Sequence, residues 1–239
     1  PLPVMQKKME ELIDHRNEKL WNDLNQVFNI VLEESINNEY SCYSENKDIT
    51  FFIVKENPCK SSFTHEMLHV YLRMKECFIG AGLKHTIWQS KILTSILSEN
   101  LLEHIGNSLD HIKILPIYLR MGFEREKFII DYDTNKCTPF ELASLKQNYR
   151  IGKKVNPEAV DLLIGKFFAI MADPNNSIDY SKQLTSLQKI DPLLFDINQR
   201  MVSLWQKVDI EVDNVDYNSV LNEYYKDFKG WLSKNKLAY

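Results

Sequence analysis

Seven glycines in 239 residues are too few for a fold whose chain must turn sharply after every strand. Glycine supplies the positive-φ turns and close backbone approaches of propellers and dinucleotide-binding sheets. The one close pair, Gly80 and Gly82, follows a helix-like run, and no third glycine completes a phosphate-cradling loop. Apolar periodicity organises the chain instead. Met5, Met9, Leu12 and Ile13, then Leu20, Leu24, Phe28 and Val31, recur at three- and four-residue steps. That spacing predicts helix over 4–36, with a bend at Arg16–Asn17. The polar stretch 37–47 reads as a loop, and the β-branched run Ile49–Val54 as a strand.

A helix is expected over 62–77, capped by Ser61 or Ser62 and ended by Gly80 and Gly82. A second is expected over 86–114, on the stripe Ile87, Ile92, Leu93, Ile96, Leu97, Leu101 and Ile105. Pro116 kinks or restarts it, and Gly122 closes the short piece that follows. Phe128–Tyr132 fits a short strand or an apolar loop. Farther on, Asn156-Pro157-Glu158 and Asp191-Pro192 are helix starts, the latter running through Trp205, and Asp216 caps a last helix to about Lys234. The expected class is mainly α (α+β), a helical domain with a small β-element. Residues 1–47 form an N-terminal helical segment, 48–135 the core and 136–239 a C-terminal helical region packed with that core as one domain.

Several classes are excluded by composition. Net charge is −4, and the 29 basic residues form no block interleaved with aromatics, so no nucleic-acid partner is expected. Apolar runs reach only about five residues where a membrane span needs about 20, so no membrane partner is expected either, and no N-terminal stretch resembles a secretory leader. Cys42, Cys59, Cys77 and Cys137 form no CxxC pair. They read as reduced thiols and point to a cytoplasmic protein.

One segment carries chemistry: Ser62-Phe63-Thr64-His65-Glu66-Met67-Leu68-His69-Val70-Tyr71. Histidines four apart on a helix share a face, with β-carbons about 6 Å apart, so both imidazoles reach one tetrahedral metal ion. Glu66 points to the same side, placed to take a proton from a water that the metal acidifies rather than to bind the metal. Met67, Leu68, Val70 and Tyr71 are uncharged, which buries the helix around the pair.

A catalytic zinc needs a third protein ligand and keeps one position open. Candidates on the next helix are Glu99, Glu103, His104 and His111. Glu103, Asn107 and His111 share a face, but Glu103 and His111 stand about 12 Å apart along the axis, so one ion takes only one of them. His104 is a step off that face, and His15 and His85 are expected to be exposed and structural.

A strand followed by an HExxH helix resembles the zincin metallopeptidases. The likeness covers 49–123, about a third of the chain. The metzincin continuation is absent, because Arg73, Met74, Lys75 and Glu76 follow His69. Glu103 would match the glutamate-zincin arrangement, although the usual Asn-Glu pair is missing there. The segment Asn107–His111 with Pro116 and Met121-Gly122-Phe123 is similar to a pattern in bacterial HExxH proteins, which points to His111. The resemblance implies a zinc-dependent metallopeptidase acting on a protein or peptide. Its metal ligands are His65, His69 and His111, or Glu103 as the alternative third ligand. Glu66 is the general base, and the strand at 49–54 pairs with an extended substrate. The alternative is a non-catalytic metal-binding regulatory or interaction module of the stress-response or phage-defence type.

Overall fold

A computed structural model describes residues 11–212 and 215–238. The architecture is mainly helical with a small sheet element, as expected. The chain divides into two compact units: the part up to Cys77 together with Ile114–Tyr132, and Phe78–Lys113 with the chain from Asp133 on.

In the first unit, helix α1 (Glu18–Val27) leads into strands β1 (Asn29–Glu34), β2 (Ser41–Glu45) and β3 (Asp48–Ile53), followed by helix α2 (Lys60–Met74). The helix expected through residue 36 therefore stops at Val27. Pairing with β3 claims residues 29–34, whose Val31 and Leu32 fit either period. The stretch read as a loop contains β2, which folds back on β3 through Asn46 at φ 53°. The part of the first helix before Glu11 lies outside the described residues. Sheet order is β1-β3-β2, with β1 parallel and β2 antiparallel to β3. The strand expected at 49–54 is thus central, and both its edges are taken.

Ile49, Phe51 and Ile53 form the inner face of β3. Phe63 of α2 sets its ring edge-on against Phe51 at 5.2 Å and tilted against Trp21 at 5.8 Å. The bend expected at Arg16–Asn17 is present and held by polar contacts. Asn17 is fully buried. Its Oδ1 accepts from the Asp14 N–H at 2.8 Å, and its Nδ2 donates to the Leu12 carbonyl at 3.0 Å and to Thr64 Oγ1 at 2.9 Å. The Arg16 guanidinium is paired with Asp14 at 2.8 Å and stacks 4.0 Å over the Phe123 ring. It also donates to the Gly122 carbonyl at 3.4 Å. Gly122 sits at φ 85°, a turn that a side chain would strain.

The second unit holds α3 (Ile79–Trp88), α4 (Lys91–Thr94), the first part of α5 (Glu99–Arg120), α6 (Pro139–Asn148), the short pair β4 (Arg150–Ile151) and β5 (Lys154–Val155), α7 (Pro157–Met171), α8 (Ser181–Ile190), α9 (Pro192–Lys207) and α10 (Asn218–Lys234). The single helix expected over 86–114 is three pieces. Ser90 Oγ accepts from the Leu93 N–H and Ser98 Oγ from the Leu101 N–H, so each restart carries its own cap. Gly80 and Gly82 do not end a helix. They lie inside α3, and a β-carbon on Gly106 would come 2.8 Å from the Gly80 Cα, so Gly80 and Gly106 let α3 and α5 cross closely. The starts at Asn156 and Asp191 are as expected, each side chain capping its helix.

Helix α5 runs unbroken past Pro116 to Arg120 rather than restarting. The proline forfeits one ladder bond, and Ile114 and Tyr118, both fully buried on either side of it, hold the backbone helical. From Ile114 this helix belongs to the first unit.

Candidate metal centre

Helix α2 carries its histidines on one face, and buried apolar side chains surround them along the helix. Phe63, Met67, Leu68 and Val70 are fully buried and His65 is 8% exposed. Thr64, the residue before His65, donates to the Lys60 carbonyl at 2.7 Å and accepts from Asn17, so the turn leading into the motif is fixed from two sides. The His65 ring lies against Phe128 with centroids 4.6 Å apart, and Phe128 in turn packs edge-on against Tyr118 at 5.1 Å. Phe128 follows a short 3-10 turn at Arg125–Lys127 and is buried, so it belongs to an apolar loop rather than a strand. Burial pushes the Tyr118 hydroxyl up to about 12, so it stays protonated at neutral pH.

The Nε2 atoms of His65 and His69 face each other at 3.1 Å. Two ligand nitrogens on one tetrahedral zinc would be about 3.3 Å apart, from bonds of about 2.0–2.1 Å. Among the described residues, His65, His69 and His111 form a group whose ligand atoms all lie within 4.8 Å of one another, a donor set able to hold a metal ion. His111 sits on α5 three residues before the helix enters the first unit.

Glu103, the alternative third ligand, is not part of that group. Its carboxylate is ion-paired with Lys84 at 2.7 Å and its side chain is 60% exposed. His104 Nε2 lies 3.1 Å from the Gly165 carbonyl, and His15 and His85 are exposed, as expected for histidines without a site role.

Glu66 stands beside the triad without joining it. Its Oε1 is 4.0 Å from His65 Nε2, and its side chain is 14% exposed. Burial raises its carboxyl above the ordinary glutamate range, opposed by the charge of His69 and by hydrogen bonds from the thiol and backbone N–H of Cys42. Three imidazoles would leave a tetrahedral ion one open position, and Glu66 is a carboxylate close to the histidines and outside the donor set.

Sequence reasoning missed two neighbours of the centre. Phe128 fits strand or loop by its pattern, and Cys42 falls in the stretch that reads as a loop. Ser41-Cys42-Tyr43-Ser44-Glu45 alternates in burial only once folded, exposed at odd positions and half-buried at even ones, and its residue types carry no apolar alternation to signal Cys42. Among the described residues no helix is long and apolar enough to cross a membrane. No protein-family model, no curated protein and no solved structure matches this chain.

Proposed function

We propose that this chain is a zinc-dependent hydrolase of the zincin kind, a metallopeptidase acting on a protein or peptide. One observation carries the reading: three histidine nitrogens within 4.8 Å of one another, with the Glu66 carboxylate beside them and outside the set. The ligand-set chemistry suits Zn2+, for which three imidazoles and one open position are a common catalytic arrangement. Bound there, the metal supplies a Lewis acid that polarises a carbonyl and acidifies water.

The chain's own residues do the rest. His65, His69 and His111 hold the ion. Phe128 packs at a tilt against His65 and limits how its ring can turn. Glu66 Oε1 takes the proton of the attacking water and delivers it to the leaving amide nitrogen. An extended substrate needs an unpaired strand edge. β3 is internal to its sheet and has none to offer, whereas β1 and β2 are its edge strands. Substrate pairing therefore falls to an edge strand of this sheet rather than to β3. The mixed sheet with an antiparallel edge strand, followed directly by the HExxH helix, supports the same reading.

The test is purified protein assayed for metal by elemental analysis and for turnover on fluorescent casein, wild type beside Glu66→Gln. One zinc per chain in both proteins, with turnover reduced about 10²–10⁴-fold in the variant, is expected, because the amide cannot act as a general base. Zinc loss in Glu66→Gln would make Glu66 a ligand or a structural prop. A zinc-loaded wild type that cleaves nothing leaves the non-catalytic metal-binding module as the reading.

A further inference from the structure

The edge strand β2 does more than border the centre. Cys42 pairs across the ladder with Phe51, and the two side chains share the sheet's inner face. Phe51 meets Phe63 of α2 on that face. Glu66 lies three residues beyond Phe63, about one turn along the same side of the helix. Two donors from the one residue, the backbone N–H and the thiol of Cys42, reach the Glu66 carboxylate. A carboxylate has about four acceptor positions, so two remain for the triad side, where Oε1 already stands 4.0 Å from His65 Nε2.

We infer that Cys42 is a positioning residue, holding the Glu66 carboxylate at the angle from which it serves the open side of the histidine triad. The inference rests on the hydrolase reading above for its kinetic consequence, and on the geometry alone for its spectroscopic one. Glutamate has three rotatable bonds, and a base displaced by about 1 Å can lose about 10² in rate. The backbone bond survives any substitution at position 42, so the thiol governs only part of the hold. Losing one hydrogen bond of ordinary net strength corresponds to about a tenfold change.

The experiment compares wild type, Cys42→Val, Cys42→Ser and Glu66→Gln, each loaded with zinc for casein turnover and with Co2+ for visible absorption. Valine keeps the packing and suits a strand but donates nothing, whereas serine restores a donor. Expected for Cys42→Val are one metal per chain, kcat reduced about tenfold with KM within about twofold, and a cobalt band moved in the direction seen for Glu66→Gln. Cys42→Ser should stay near wild type in both readouts. A Cys42→Val protein with wild-type kcat and an unmoved band overturns the inference, and so does a Ser variant that falls as far as Val. Loss of metal in Cys42→Val also overturns it, since Cys42 would then support the ligands. If wild type holds metal and cleaves nothing, the hydrolase reading fails, and the cobalt band alone decides the position of Glu66.

Discussion

Replacing Asn17 by Ala removes the contact that ties the N-terminal bend to the histidine-bearing helix. Three hydrogen bonds of 2.8–3.0 Å end on this one fully buried side chain. Each bond contributes about 1 kcal/mol net, and a buried partner left unsatisfied costs about 1–3 kcal/mol. Thr64 Oγ1 keeps its bond to the Lys60 carbonyl, so the heavier losses fall on the Leu12 carbonyl and the Asp14 N–H. The sum is a destabilisation of about 3–4 kcal/mol, a large share of the roughly 5–15 kcal/mol that holds a domain folded. Urea denaturation of metal-free protein, followed by circular dichroism, measures it without the added stability that a bound ion would lend. A double-mutant cycle with Thr64→Val isolates the Asn17–Thr64 bond, which should appear as a coupling of at least about 0.5 kcal/mol. A loss below about 1 kcal/mol for Asn17→Ala, or no coupling in the cycle, would refute the argument that this asparagine staples the bend to α2.

Three further outcomes follow from the same structure. His111→Ala should lose zinc by elemental analysis, while Glu103→Gln keeps one zinc per chain, because Glu103 is committed to Lys84. The Arg16 side chain bonded to Asp14 holds the Asp14 carboxyl well below the ordinary aspartate range. A depressed carboxylate stabilises above its unfolded pKa and loses that contribution as pH falls toward its folded value. The cost of Asp14→Asn, about 1 kcal/mol at neutral pH for a partly exposed pair, should therefore shrink in denaturation curves taken progressively below about pH 4. Iodoacetamide at pH 8 with mass-spectrometric readout should label Cys59, which is half-buried. It should spare Cys77 and Cys137, the latter 1% exposed with its thiol pushed up to about 11 by burial.

The local parts of this protein were legible in its sequence. Two histidines four apart on a helix lie on one face whatever surrounds them, because the 3.6-residue period is set by the backbone alone. The caps at Asn156 and Asp191 act within three residues of themselves, and the bend at Asn17 begins with an Asx contact three residues away. Non-local pairing decided the rest. Residues 29–34 carry a pattern that suits helix or strand, and only a partner strand 19 positions later settles it. Glu103 and His111 share one face of one helix, and spacing does not say which of them joins His65 and His69. Lys84 holds the Glu103 end, while Tyr118 packs on Phe123 and Phe128 at the other, with Arg16 over Phe123 and Phe128 against His65. Cys42 reached Glu66 because strand register turned it inward, and register follows from the pairing of β2 with β3, which no spacing within residues 41–45 expresses.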